Sequence, residues 1–143
     1  MKQGHEKMAN QSLKEWIVQY RKHRDLVFRK IANIAGEDPI LITNKDNTQE
    51  QIYIRESCNT FTEFNKETLP TTAVVLNTDA NIRTMLKEWD TIAANMQLTI
   101  MFVNPSSQGE KRWVIRPHIH DCISERTALK TGIASIAEQV DKC

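Results

Sequence analysis

Two apolar stretches, TAVVL (residues 72–76) and LTIMFV (residues 98–103), flank a helical pattern and decide the predicted fold. Each is a continuous run rich in β-branched residues, which is typical of a strand covered on both faces. Between them, Thr78 or Asp79 can cap a helix, and apolar side chains then recur at helical spacing from Ile82 to Ala93. Strand, helix and strand within about 30 residues predict a parallel βαβ unit.

Upstream of this unit, the pattern predicts one long helix and a hairpin. The helix is expected over Ser12–Ala35, with basic residues largely outside a buried stripe formed by Leu13, Trp16, Tyr20, Val27, Ile31 and Ile34. Strands Ile40–Thr43 and Gln51–Glu56 are separated by a polar turn, as in a hairpin. The segment Ser57–Pro70 predicts a loop or a short helical turn anchored by its aromatic residues.

Downstream, the residues Arg112–Pro117 alternate as in an antiparallel strand, and a last helix is expected from Ser124. The predicted order is therefore α-β-β-β-α-β-β-α, an α/β fold with a mixed sheet packed by helices. Residues 1–10 are predicted to be a disordered tail and residues 11–143 a single domain.

Composition places the chain among cytoplasmic globular proteins. It has 143 residues, of which 40% are hydrophobic and 26% charged, and its net charge is +1. No apolar run approaches the ~20 residues that span a bilayer, so no membrane partner is expected. The segment Met1–Asn10 lacks the apolar core of a secretory signal. Three widely spaced cysteines without a C-x-x-C pair indicate reduced thiols in the cytoplasm.

Glycine usage argues against the common phosphate-binding loops. The four glycines are far apart, and none of the glycine-rich nucleotide or nucleophile motifs occurs. No cofactor is therefore predicted.

A first candidate ligand site lies where the two parallel strands end, because ligands of α/β units usually bind beyond the carboxyl ends of strands. The polar residues expected there are Asn77, Asp79, Asn104 and Ser106, with Lys111 and Arg112 adding positive charge from the returning strand. The alternative interpretation is ordinary helix capping and an ordinary Asn-Pro turn.

A second candidate is a metal site. In an extended chain, His118 and His120 point to the same side, and Asp121 or Cys122 would supply a third ligand of a type that zinc accepts. Zinc or manganese would be the metal. The alternative is a pair of solvated or hydrogen-bonded histidines. This site and the first candidate lie at opposite ends of the last strand, so they do not form one catalytic centre.

The third candidate is the basic side of the first helix, where cations would track the phosphates of a nucleic acid. The residues expected to do so are Arg21, Lys22, Arg24 and Arg29. The alternative is the solvated face of an amphipathic helix. Exposed aromatics at Tyr53 and Phe61 would instead mark a protein interface, such as that of a symmetric homodimer.

The order α-β-β-β-α-β resembles the core of the restriction-endonuclease-like nucleases. That resemblance implies an acidic residue on the second strand and a Glu-x-Lys motif on the third. Here the third predicted strand reads TAVVLN (residues 72–77), with no carboxylate or lysine, and Glu56 alone does not hold Mg²⁺. The resemblance therefore implies a degenerate nuclease.

The absence of convergent catalytic groups and the basic helix favour a non-enzymatic binding module with a protein or nucleic-acid partner. The alternative function is a metal-dependent hydrolase or nuclease of restriction-endonuclease-like topology, acting through His118, His120 and Asp121.

Overall fold

A six-stranded mixed sheet runs through the computed structural model, which describes residues 2–143, with side chains from Leu13 onward. The strands are β1 (Ile31–Ala35), β2 (Ile40–Asn44), β3 (Gln49–Arg55), β4 (Thr71–Leu76), β5 (Leu98–Val103) and β6 (Arg112–Ile115). They lie side by side in chain order. The β3–β4 and β4–β5 pairs are parallel and the others antiparallel. The predicted α/β class with a mixed sheet is confirmed.

Helices cover both faces of the sheet. They are α1 (Lys2–Phe28), α2 (Asp79–Lys87), α3 (Trp89–Ala93), α4 (Pro117–Ile123) and α5 (Leu129–Ala137), with short 3₁₀ helices at Thr62–Lys66 and Arg126–Ala128. One apolar cluster joins α2, α3 and α5 to the sheet around Phe102 and Trp113, whose rings stack 4.2 Å apart. The other joins Leu13 and Ile17 of α1 to the opposite face.

The βαβ unit has the predicted form. Strand β5 has the predicted bounds, β4 begins one residue earlier than expected, and Thr78 caps α2 by accepting a hydrogen bond from the backbone N–H of Asn81. The segment before β4 contains a short 3₁₀ helix, as the loop-or-turn prediction allowed, and Phe61 and Phe64 anchor it in the core. The expectation of an exposed Phe61 is wrong, because that ring is fully buried.

The predicted first helix is too long at its C-terminal end. It stops at Phe28, because Arg29 adopts a left-handed backbone (φ 52°) and the Asp25 carboxylate accepts hydrogen bonds from the N–H groups of Lys30 and Ile31. The next residues form β1, an additional strand. A β-bulge between Ile31 and Asn33 brings Ile31 and Ile34 to the same apolar cluster. Their three-residue spacing therefore imitates a helix.

The observed order thus has four strands between α1 and α2, where the predicted order had three. The resemblance to the restriction-endonuclease-like core rested on three strands between these two helices. The strand with residues 72–76 is fourth in the chain, and β3 is third.

The region after β6 also differs from expectation. Strand β6 ends at Ile115, and Pro117 occupies the first turn of α4, a position that suits its fixed φ. Ser124 ends α4, so the last helix begins at Leu129 and not at Ser124.

The prediction of a disordered tail concerns residues 1–10, whose side chains lie outside the described part of the chain, and that domain boundary stays a prediction. Across residues 2–143, no helix combines the length and apolar character needed to cross a membrane.

Candidate functional site

Along α1, the side that faces the sheet changes from aliphatic residues to aromatic and basic residues. Leu13 and Ile17 are buried against the sheet, and the positions that continue the same side are Tyr20, Arg24 and Phe28. Tyr20 still packs against the apolar cluster, but burying an unpaired guanidinium costs far more than burying an aliphatic side chain returns, so α1 does not pack on the sheet from Arg24 onward. A groove of about 670 Å³, which we call the basic groove, lies between the C-terminal half of α1 and the sheet.

Four structural parts line this basic groove. They are α1, the start of β1, the turn between β2 and β3, and one face of β3–β6. The lining includes Tyr20, Arg21, Arg24, Asp25, Phe28, Arg29, Lys30, Lys45, Asp46, Glu50, Ile52, Thr72, Thr99, Met101 and Val114.

The acidic residues of the basic groove are already engaged. Glu50 forms an ion pair with Arg21, and both side chains are partly buried. Asp25 accepts the backbone hydrogen bonds that end α1. Asp46 accepts hydrogen bonds from Thr48, whose side chain is the main cause of the lowered pKa of that carboxyl. Only Glu50 is thus paired with a cation, whereas Asp25 and Asp46 keep their negative charge. The nearby Lys30 also contributes to the lowered pKa of Asp46.

Four cations of the basic groove are left: Arg24, Arg29, Lys30 and Lys45. None of them makes an ion pair with a carboxylate among residues 13–143. All four side chains are exposed. The rim of the groove consequently attracts anions, and multivalent anions most strongly.

Aromatic rings accompany these cations. Phe28 is 55% exposed, and the guanidinium of Arg24 and the ammonium of Lys30 lie 5.4 and 5.8 Å from its ring centre. About two and three helical turns before Phe28, the rings of Tyr20 and Trp16 stack 5.2 Å apart, and Arg112 lies 4.8 Å from the Tyr20 ring centre. Cations over aromatic faces are the arrangement that binds stacked bases.

The structure places most of the predicted basic residues together. Arg21, Arg24 and Arg29 line the basic groove, whereas Lys22 does not. The predicted buried stripe through Val27 was wrong, because the sheet-facing side of α1 follows the 13–17–20–24–28 series and Val27 is 80% exposed. Arg29 is exposed, and Arg21 is partly buried through its ion pair with Glu50.

Lys30, which the sequence placed with the basic residues of the first helix, also lines the groove, whereas sequence reasoning missed Phe28 and Lys45. The continuing 3.6-residue period after Ile17 pointed to Phe28. Lys45 comes from a turn that has no sequence signal linking it to α1.

The predicted ligand site at the ends of β4 and β5 holds the chain's own C-terminal segment, Val140–Cys143. The buried Asn77 side chain donates from Nδ2 to the carbonyls of Val140 and Asp141 (3.1 Å each) and accepts from Trp113 Nε1 (2.8 Å). Asn104 Nδ2 donates to the Asp141 carbonyl at 3.0 Å. These two side-chain amides therefore hold the segment in place through hydrogen bonds to its backbone.

The other residues of that prediction have similar local roles. Asp79 pairs with Lys142 at 3.6 Å, and Lys111 Nζ donates to carbonyls of its own loop. Arg112 turns to the opposite face of the sheet, over Tyr20. Ser106 is exposed, and its N–H donates to Asn104 Oδ1. The segment 140–143 thus occupies the place expected for a ligand.

The predicted metal ligands do not converge. Residues His118 and His120 belong to α4, where a two-residue spacing turns side chains about 200° apart. His118 Nδ1 donates to the Ala93 carbonyl (2.8 Å), and His120 packs edge-on against Trp89. Asp121 accepts from Trp89 and Arg126, and the hydrogen bond from Arg126 is the main cause of its lowered pKa. The extended geometry assumed for this site was wrong.

Within the described residues, no three His, Cys, Asp or Glu side chains cluster closely enough to hold a metal ion. Glu56 follows β3, and its buried Oε2 has no hydrogen-bond partner among the side chains described. Metal binding stays a prediction without a ligand set.

Two of the three thiols have raised pKa values. Burial raises the pKa of Cys58 to about 12, and burial likewise raises the pKa of Cys143. A raised pKa keeps a thiol in its unreactive neutral form. All three cysteines are free thiols in the structure.

Comparison with known proteins does not assign a family to this arrangement. No protein-family model, no curated protein and no solved structure matches the chain.

Proposed function

We propose that this chain is a binding module for nucleic acid, which it holds in the basic groove between α1 and the sheet. The observation that carries this proposal is the group of four exposed cations, Arg24, Arg29, Lys30 and Lys45, which form no ion pair among residues 13–143 and outnumber the two unpaired carboxylates of the groove, Asp25 and Asp46. Cations fixed along a concave surface bind successive phosphates and release counterions. The proposal keeps the sequence-based expectations of a cytoplasmic location and of a non-enzymatic role.

The test is a fluorescence-anisotropy titration with single- and double-stranded DNA and RNA, at low and at physiological salt. The double variant Arg24→Ala/Lys45→Ala removes two cations of the groove. If each contacts one phosphate, the slope of log K against log salt falls by about 1.4, and binding at physiological salt weakens roughly tenfold.

The matched control is Lys87→Ala/Lys130→Ala, which removes the same charge from α2 and α5 on the opposite face of the sheet. The control should retain wild-type affinity and salt slope. The absence of binding even at low salt would contradict the proposal, and so would an equal loss in the control variant.

Self-association is a second candidate role, favoured by Leu26 and Val27, which are 71% and 80% exposed beside each other at the end of α1. Adjacent exposed aliphatic side chains favour contact with a second copy. Light scattering after gel filtration should give a dimer mass for the wild type and a monomer mass for Leu26→Gln/Val27→Gln. A wild-type monomer at the highest soluble concentration would rule out this role.

A further inference from the structure

The floor of the basic groove is not suited to phosphates. The strand register aligns Ile52 with Thr72 and Thr99, and Met101 with Val114. Ile52 and Met101 are buried, Thr72 and Thr99 are half-buried, and Val114 is 40% exposed. None of these side chains is charged, so a phosphate would lose hydration here and gain at most the threonine hydroxyls, whereas the flat face of a base loses little.

The cations stand on the rim, above this floor. Arg24 belongs to α1, Lys30 to the start of β1 and Lys45 to the turn between β2 and β3. All three cations are exposed, whereas Ile52 and Met101 are buried. An uncharged floor and an exposed cationic rim match a chain whose bases point inward and whose phosphates point outward.

Phe28 adds a surface for stacking. Its ring is 55% exposed, with the charged groups of Arg24 and Lys30 5.4 and 5.8 Å from its centre. A base stacked on this ring would have its phosphate close to one of the two cations. In a duplex, both faces of each base are covered by neighbouring base pairs, so a duplex offers phosphates to the rim and no base face to Phe28.

The size of the groove agrees with a short unpaired segment. Its volume of about 670 Å³ lies within the ~300–1,000 Å³ of sites that enclose small organic ligands. An intact double helix is too wide to enter such a site. The shared chemistry is a nucleobase with an attached phosphate, and the separated cations of the rim favour several linked phosphates over one.

From this geometry we infer that the basic groove binds unpaired, single-stranded nucleic acid, with bases on the strand floor and stacked on Phe28, and with phosphates along the rim. The inference rests on the proposed function and narrows its ligand.

The experiment compares three ligands at the same salt concentration: a labelled oligothymidine strand, a duplex of equal length, and a free mononucleotide as competitor. We expect the strand to bind at least about tenfold more tightly than the duplex. We expect Phe28→Ala to weaken strand binding by roughly 5- to 150-fold, as the loss of one stacked base does, without changing duplex binding.

Two further variants separate stacking from general damage. Phe28→Trp keeps an aromatic face and should restore strand affinity. Ile123→Ala truncates another exposed apolar side chain, 78% exposed on α4, and should leave binding unchanged. Because Phe28 is itself more than half exposed, its replacement should not prevent folding.

The outcomes separate the inference from the function on which it rests. Equal affinity for strand and duplex, with no effect of Phe28→Ala, would overturn the single-strand assignment and leave nucleic-acid binding in place. A mononucleotide that binds as tightly as the strand would overturn the assignment to a polymer. A protein that binds none of the three ligands would overturn both proposals.

Discussion

Arg24 stands two turns beyond Ile17 on the same side of α1, and the difference between these two side chains separates core from groove. Burial of an aliphatic side chain such as Ile17 contributes about 1.5–3 kcal/mol to stability. An unpaired guanidinium in the same environment would cost more than that. Single residues therefore decide where the core between α1 and the sheet ends.

Tyr53 provides a residue-scale test of the packing between β3 and the loop that follows it. Its hydroxyl donates to Glu67 Oε1 at 2.7 Å, and burial, with that hydrogen bond, raises the pKa of the phenol to about 12 from 10.0. Because the folded state holds the neutral phenol, its contribution to stability is fully present below pH 10 and is lost as the pH rises toward 12.

The measurement is urea unfolding of the wild type and of Tyr53→Phe over a range of pH. We expect the wild type to be more stable by about 1 kcal/mol near neutral pH, and the advantage to shrink between pH 10 and 12. The difference in phenolate absorbance between the two proteins should have its midpoint near 12. A midpoint at 10 would contradict the buried hydrogen bond.

At the scale of elements, α1 has two roles along its length. Its Leu13–Ile17 part packs on the sheet, and its C-terminal half forms one wall of the basic groove. The start of β1 and the turn between β2 and β3 complete that end of the groove, because Ile31 and the Asn44–Thr48 turn both line it. The pairing of β1 with β2 therefore helps to set the shape of the groove.

Alanine substitutions at two glycines compare the turn between β1 and β2 with helix α5. Gly36, between β1 and β2, has φ +84°, and a Cβ there would lie 2.8 Å from the Pro39 carbonyl oxygen. We expect Gly36→Ala to lower the free energy of unfolding by about 1–2 kcal/mol or more. Gly132 lies within α5 with open space around a Cβ, so Gly132→Ala should raise it by ~0.5–1 kcal/mol. Denaturant titration measures the free energy of unfolding of both variants. An increase for Gly36→Ala as well as for Gly132→Ala would contradict the turn geometry.

At the scale of the whole molecule, the two ends of the parallel strands serve different purposes. Thr72 and Thr99, at the amino ends of β4 and β5, belong to the groove, whereas Asn77 and Asn104 hold segment 140–143 at the carboxyl ends. About 17 Å of strand separates these ends. Binding and tail attachment should therefore be independent.

Removal of residues 140–143 tests this independence. The truncation removes the buried Val140 and leaves the Asn77 and Asn104 amides without acceptors, so we expect a loss of roughly 3–5 kcal/mol in the free energy of unfolding. The affinity for nucleic acid should stay within about twofold of wild type wherever the protein is folded.

The variant Asn104→Ala keeps residues 140–143 and should lower the free energy of unfolding by only about 1–2 kcal/mol. It therefore tests how much the Asn104 hydrogen bond to the segment stabilises the protein even if the truncated chain does not fold. A truncated protein as stable as the full chain would show that the contacts of Asn77 and Asn104 with the segment do not stabilise the fold. A folded truncated protein that no longer binds nucleic acid would show that the two ends are coupled.

Local pattern was sufficient for the elements that are short, continuous and apolar. The strand of residues 98–103 and the Thr78 cap follow from β-branched runs and from capping chemistry, which act within a few residues. It was not sufficient for β1, because a bulge gives Ile31 and Ile34 the spacing of a helix. It also failed at His118 and His120, where Pro117 begins a helix that the preceding strand pattern concealed.

Local side-chain patterns were enough to predict the α/β class, the central βαβ unit and a basic first helix, because these depend on residues near one another in the chain. Which ends of the strands are open depends instead on long-range contacts. Those contacts hold segment 140–143 at Asn77 and Asn104, and they bring Lys45 into the same groove as Arg24 and Phe28. Such contacts join residues tens of positions apart, and their partners are selected by packing and by hydrogen-bond satisfaction across the whole fold, not by local spacing.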